Sequence, residues 1–178
     1  MRKRSVRRAV VLAALALCSL CAVVAVAQQF PRLQEENLAG QQVVLPDAAS
    51  GKIRVLVLGF SHASGTPSGA WAKRIRGDFG KTPDFELYQL AVLEGAPRIL
   101  RGMIISGIKK GVPDNERATF IPVLHNAEQL QKLVGFKAED DAYIVVLDHS
   151  GNVVYQTHGA SVDPGYSELR AKVQSLLK

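Results

Sequence analysis

Cysteine is missing from residues 28–178. The chain's two cysteines, Cys18 and Cys21, both lie in an uncharged stretch near its start. Beyond residue 27 there is therefore no thiol nucleophile, no disulfide and no thiolate ligand for a metal. The Cys18-x-x-Cys21 spacing falls inside an apolar run, where it is coincidence and not a redox motif. Aromatics are sparse, at 6% with a single Trp. The basic clusters Lys73-Arg74-Ile75-Arg76 and Lys109-Lys110 thus lack the aromatic platforms on which bases stack. They read as solvated helix faces, and no nucleic-acid partner is expected. No internal repeat, low-complexity tract or charged tail is present.

What is present begins with Arg2, Lys3, Arg4, Arg7 and Arg8, followed by no charge from Ala9 to Ala27. A basic start, an apolar stretch and small residues at Ala25 and Ala27 describe a secretory signal cut after Ala27. An uncleaved membrane anchor is the alternative, and the positive-inside rule then still puts the rest of the chain across the membrane. A twin-arginine signal fits poorly, because Ala9-Val10-Val11 follows Arg7-Arg8. A lipid-modified cysteine fits no better, because both cysteines follow Leu. The expected destination is the periplasm or the cell exterior. Of 22 basic and 16 acidic residues, the five basic ones named above belong to this segment, leaving 17 against 16. The high overall charge is therefore a targeting feature and says nothing about an anionic partner.

Residues 28–178 have the length of one ordinary domain. A lead-in segment from Phe30 ends in a short strand, Gln41–Leu45. Ile53–Phe60 is a nearly continuous β-branched and apolar run, the pattern of a strand covered on both faces. Trp71, Ile75 and Phe79 recur at four-residue spacing and mark a helix. A strand over Phe85–Val92 follows, then a helix carrying Ile99, Met103, Ile104 and Ile108 and closed by Gly111 and Pro113. Phe120–Leu124 reads as a strand, Ala127–Val134 as a helix ended by Gly135, and Tyr143–Leu147 as a buried strand. The turn Asp148-His149-Ser150-Gly151 leads to an antiparallel partner at Val153-Val154-Tyr155. A last helix starts at Asp163-Pro164, with Asp as N-cap and Pro first. Alternating strands and helices predict an α/β fold: a central mixed sheet flanked by helices, with a C-terminal β-hairpin followed by a helix.

Phe30-Pro31, Leu38-x-Gly40, Val43-x-Leu45-Pro46 and Val55–Phe60 resemble the opening of peroxiredoxin-like and TlpA-like proteins of the thioredoxin-like superfamily. Ile144–Asp148, Gly151 and Val153 resemble that superfamily's penultimate strand pair. A narrower resemblance is to the ATP synthase assembly factor family called ATP-ten. It rests on Trp71, Val112-Pro113-Asp114, Leu130 to Gly135, Tyr143 to Asp148 and Gly159-Ala160. This resemblance implies a thioredoxin-like fold in a chaperone for a membrane subunit, not in an oxidoreductase.

The departures carry as much weight. Where the superfamily places a nucleophilic Cys, between the first buried strand and the first helix, stand Ser61, His62, Ala63 and Ser64. Where it places a cis-proline stand Asp141 and Ala142. A serine hydroxyl cannot exchange disulfides, so no catalytic residue and no cofactor is expected. Ser61 beside His62 suggests nucleophilic catalysis only if geometry joins them, and no G-x-S-x-G is present. The four histidines, His62, His125, His149 and His158, lack metal-site spacing. Glu139-Asp140-Asp141 reads as a solvated turn. Trp71 is expected in the core, with a partner-binding anchor as its alternative. Two functions stay open: a redox-inactive protein that binds a protein partner, such as a membrane complex, and a small-molecule or metal-binding enzyme using the His62 loop.

Overall fold

The computed structural model describes residues 28–47 and 50–178. The proposed signal, with Cys18 and Cys21, lies outside the described residues. Among the described residues seven strands form: β1 (Leu33–Glu36), β2 (Gln42–Leu45), β3 (Ile53–Gly59), β4 (Phe85–Val92), β5 (Phe120–Val123), β6 (Ala142–Leu147) and β7 (Val153–His158). The helices are α1 (Gly65–Phe79), α2 (Arg98–Gly111), α3 (Ala127–Val134) and α4 (Gly165–Leu176), with a 3-10 turn at Asp114–Thr119. The main sheet runs β5-β4-β3-β6-β7. Its β3–β4 and β4–β5 pairs are parallel, and β3–β6 and β6–β7 are antiparallel. The mixed sheet, the C-terminal hairpin and the final helix are as the alternating pattern predicts.

The two-residue period of the strands sorts the core into two layers. Ile53, Val55 and Val57 of β3 and Ile144 and Val146 of β6 face α1 and α4, where Trp71, Ile75, Phe79, Leu169 and Val173 meet them. Leu56 and Leu58, with Tyr143, Val145 and Leu147, face α3 and the β1–β2 ribbon. Both faces of β3 and β6 are covered, which is why these strands read as unbroken apolar runs.

Three features depart from the sequence pattern. Leu33–Glu36 is a strand, paired antiparallel with β2, although Leu-Gln-Glu-Glu shows no apolar alternation. The inward residue that breaks the pattern is Glu35. It is 7% exposed, and its Oε1 accepts the N–H groups of Leu124 (2.9 Å) and His125 (3.1 Å). The last helix begins at Gly165 with Pro164 in the cap position and no side-chain cap. Asp163 instead accepts the Ser167 hydroxyl at 2.7 Å. The third departure is α2, which contributes no buried residue at all.

Tyr166 ties α4 to α1. Its hydroxyl donates to Asp78 Oδ2 at 2.9 Å, and the Arg74 guanidinium lies 3.7 Å above its ring. Burial first, then the hydrogen bond and charge of Asp78, push the phenol from 10.0 up to about 12. Between those values the folded protein keeps a proton that the unfolded chain releases, so stability falls as pH rises through the window. Melting temperatures from about pH 9 to 12 should drop, and Tyr166→Phe should flatten part of that drop. Tyr88 and Tyr155, also raised mainly by burial, act in the same direction. An equally steep fall in Tyr166→Phe would remove Asp78–Tyr166 as a cause.

Candidate functional site

The chain leaves β3 at Gly59, passes Phe60, and turns through Ser61-His62-Ala63-Ser64 into α1. Two serines hold this turn. The Ser64 N–H donates to Ser61 Oγ (3.0 Å), the Ser61 N–H donates to Ser64 Oγ (3.2 Å), and the Ser64 hydroxyl donates to the Ser61 carbonyl (2.8 Å). The first two bonds form a reciprocal pair that closes the turn before α1, whose N-cap, Ser64, makes no side-chain cap bond of its own. Ser64 is fully buried, whereas His62 and Ala63 are exposed.

The Ser61 hydroxyl donates to Asp140 Oδ1 at 2.7 Å. Neither serine proton therefore goes to a histidine, and the base-activated nucleophile that Ser61-His62 hinted at does not form. Space is tight behind the turn. A Cβ on Gly59 would lie 2.6 Å from Ser64 Oγ and 3.2 Å from Ser68 Oγ. Gly59→Ala should cost about 1–3 kcal/mol by overpacking. Gly59→Ala/Ser64→Ala should cost less than the sum of the singles in urea unfolding, since the hydroxyl is the colliding group. Additive losses would mean that the strain lies elsewhere.

The facing wall is the loop into β6. The buried Tyr143 hydroxyl accepts the N–H groups of Lys137 (2.8 Å) and Ala138 (2.9 Å) and donates to the Ala138 carbonyl (2.9 Å). Asp141 Oδ2 meets His158 Nδ1 at 2.8 Å. The 139–141 acidic run is therefore not a merely solvated turn: Asp140 holds the serine loop and Asp141 holds β7. Asp141–Ala142 is not a cis peptide; among the described residues those are Leu45–Pro46 and Asp163–Pro164. Behind both loops Phe60 meets Phe136 and Tyr143 edge to face, and those two rings stack, with centroids 5.0–5.7 Å apart.

The remaining candidates do not join this site. Trp71 is 0% exposed, and its Nε1 donates to the Gly159 carbonyl at 2.8 Å. A side chain with no accessible surface cannot anchor a partner, so Trp71 belongs to the core. The histidines lie apart: His125 meets Glu35, His158 meets Asp141, and His149 meets the Gly51 and Leu176 carbonyls, which raise its pKa. Among the described residues no three His, Cys, Asp or Glu side chains form a group able to hold a metal ion.

Sequence reasoning missed a cavity. About 660 Å³ lies between α1, α2 and the carboxyl ends of β3 and β4, opening beside Ser61 and His62. Ligands of open α/β sheets bind at this end of the strands. The signal in the sequence was α2 itself, which carries six large apolar residues, Ile99, Leu100, Met103, Ile104, Ile105 and Ile108, yet no acid.

Solved structures share this fold. A thiol:disulfide interchange protein DsbE from Chlorobium tepidum superposes with a TM-score of 0.58 at 17% identity, over 85% of this chain and 97% of its own. The fold is thioredoxin-like. BsSco, of the Sco family of cytochrome c oxidase assembly proteins, gives 0.56 at 10% identity over 85% and 95%. The exposed lipoprotein thioredoxin Etrx1 of Streptococcus pneumoniae gives 0.56 at 14% over 82% and 100%. No protein-family profile and no curated protein sequence matches the chain. In this thioredoxin-like domain Ser61 and Ser64 stand at the junction of β3 and α1, and no cysteine follows Cys21. Among the described residues no helix is long and apolar enough to cross a membrane.

Proposed function

We propose that this protein is an exported, redox-inactive thioredoxin-like protein that acts by binding another protein, as an assembly factor or chaperone for a membrane complex. The observation that carries the reading is the Ser61–Ser64 turn. The strand-to-helix scaffold is kept, while both hydroxyls are spent on internal hydrogen bonds and no thiol is available beside them. A site without reacting groups on an intact scaffold favours recognition over chemistry, although fold alone does not imply function. Export is supported by the basic and apolar run of residues 1–27, with its small residues before Gln28. The likeness to BsSco, whose family is named for assembling cytochrome c oxidase, supports the assembly role. The residues shared with the ATP-ten family make ATP synthase the first complex to examine.

The test is crosslinking of the tagged protein in its native envelope, followed by identification of captured proteins. Recovery of subunits of one membrane complex, above a control exported domain, is the expected result. A capture indistinguishable from the control, or insulin-disulfide reduction or peroxide consumption by the purified protein, would overturn the reading.

A further inference from the structure

Helix α2 has no fully buried side chain, only a half-buried face at Ile104, Ile105 and Ile108, which is unusual because most helical stability in proteins comes from a buried face. Its inward residues Ile104 and Ile108 line the 660 Å³ cavity instead of meeting the sheet. That volume falls in the range of small-molecule sites, which are largely apolar with a few convergent polar groups. The opposing walls fit the description. Val57, Ala91 and Phe120 supply apolar surface, and Gln89, 8% exposed, supplies an amide residue in the floor. Ser68 also lines the cavity, and its Oγ, buried and turned toward Gly59, has no hydrogen-bond partner among the described residues, so a rotation of the side chain would bring it to a bound ligand. A buried hydroxyl left unpaired costs free energy that a ligand acceptor or donor would recover. Among the lining residues only His62 and Glu139 can carry charge, and both are exposed.

We propose that the cavity beneath α2 binds a small, neutral amphipathic molecule: an apolar body against Ile104, Ile108 and Ala91, and an uncharged hydrogen-bonding group toward Ser68 and Gln89. An ionised ligand is disfavoured because the inner wall offers no counter-charge for the hydration it would lose. The bound body covers the inner face of α2 and supplies the packing that the sheet does not. This inference stands apart from the protein-binding reading, because the cavity is formed within one chain.

The probe is N-phenyl-1-naphthylamine, a neutral arylamine whose fluorescence rises in apolar surroundings. Its 8-sulfonate analogue serves as the charged control, and the chain is expressed in full and used as the cell processes it. The expected result is saturable binding of one arylamine per chain, at least about tenfold tighter than the sulfonate. Ile104→Trp and Ile108→Trp, which fill the cavity, should each weaken it at least about tenfold while circular dichroism stays native. Ser68→Ala should weaken it by a smaller factor. If the tryptophan variants misfold, methyl NMR of the wild type decides: arylamine must shift the Val57, Ala91, Ile104 and Ile108 methyls. Non-saturable binding, equal affinity for the sulfonate, unchanged affinity in a folded tryptophan variant, or shifts confined to other methyls would each overturn the proposal. Partner capture by Ile104→Trp separates the two readings, since it should persist when probe binding is lost.

Discussion

Replacing Ser61 and Ser64 together with cysteine should convert an inert turn into one that forms and breaks a disulfide. The two positions are three residues apart at the start of α1, and Ser64 Oγ already lies 2.8 Å from the Ser61 carbonyl. Position 61 is the more accessible, so its sulfur would be the attacking one, while position 64 is fully buried and would resolve. A helix N-terminus favours the thiolate, but Asp140, which takes the Ser61 hydroxyl proton at 2.7 Å, would oppose it. A like charge beside a thiolate disfavours ionisation. Insulin reduction should therefore rise from background in the wild type to at least about tenfold above it in Ser61→Cys/Ser64→Cys. It should rise several-fold more when Asp140→Asn is added. Thiol counts before and after oxidation, with the wild type as baseline, report disulfide formation directly. If both added thiols stay free after oxidant, the turn is not a degenerate redox loop, and its serines have only the turn-closing role that their hydrogen bonds display.

Glu86→Ala should be among the most damaging single substitutions, at about 3–5 kcal/mol. Arg54 is 1% exposed in the centre of the sheet, and Glu86 is its direct register partner on β4. Arg54 Nε meets Glu86 Oε2 at 3.0 Å, Glu86 Oε1 takes Lys52 Nζ at 2.9 Å, and Arg54 Nη2 also bonds Ser50 Oγ. Among the described residues Arg54 Nη1 is buried with no hydrogen-bond partner. Removing the carboxylate takes from a buried guanidinium the carboxylate that pairs with its Nε. Removing the cation is milder, because Glu86 keeps Lys52 and a 24% exposed side chain. Urea unfolding should rank Glu86→Ala well below Arg54→Met, with Arg54→Met/Glu86→Leu near the wild type. If Arg54→Met proves as costly as Glu86→Ala, the arginine matters through its packed stem and not through its charge.

This pair also marks where reading the sequence stops. The run Ile53–Phe60 identifies β3 as a covered strand because β-branched and apolar residues at consecutive positions have few other stable placements. Arg54 inside it carries no mark of its partner, which lies 32 residues away and is chosen by strand register. Glu35 is hidden for the same reason. Its burial is made tolerable by the Leu124 and His125 N–H groups, and no local pattern announces a contact at that separation.

Sequence by itself determined the order of strands and helices from β2 onward, the closing hairpin and helix, and the absence of any cysteine after Cys21. Periodicity and composition are local quantities, and those features depend on nothing else. Tertiary structure alone decided that Trp71 is core, that Asp140 ties down Ser61, and that α2 stands off the sheet over a cavity. Each of these depends on distances between residues far apart in the chain. A helix carrying six large apolar side chains looks from its sequence as though it must be buried; only the packing of α1, β4 and β5 beneath α2 determines that the space is left open.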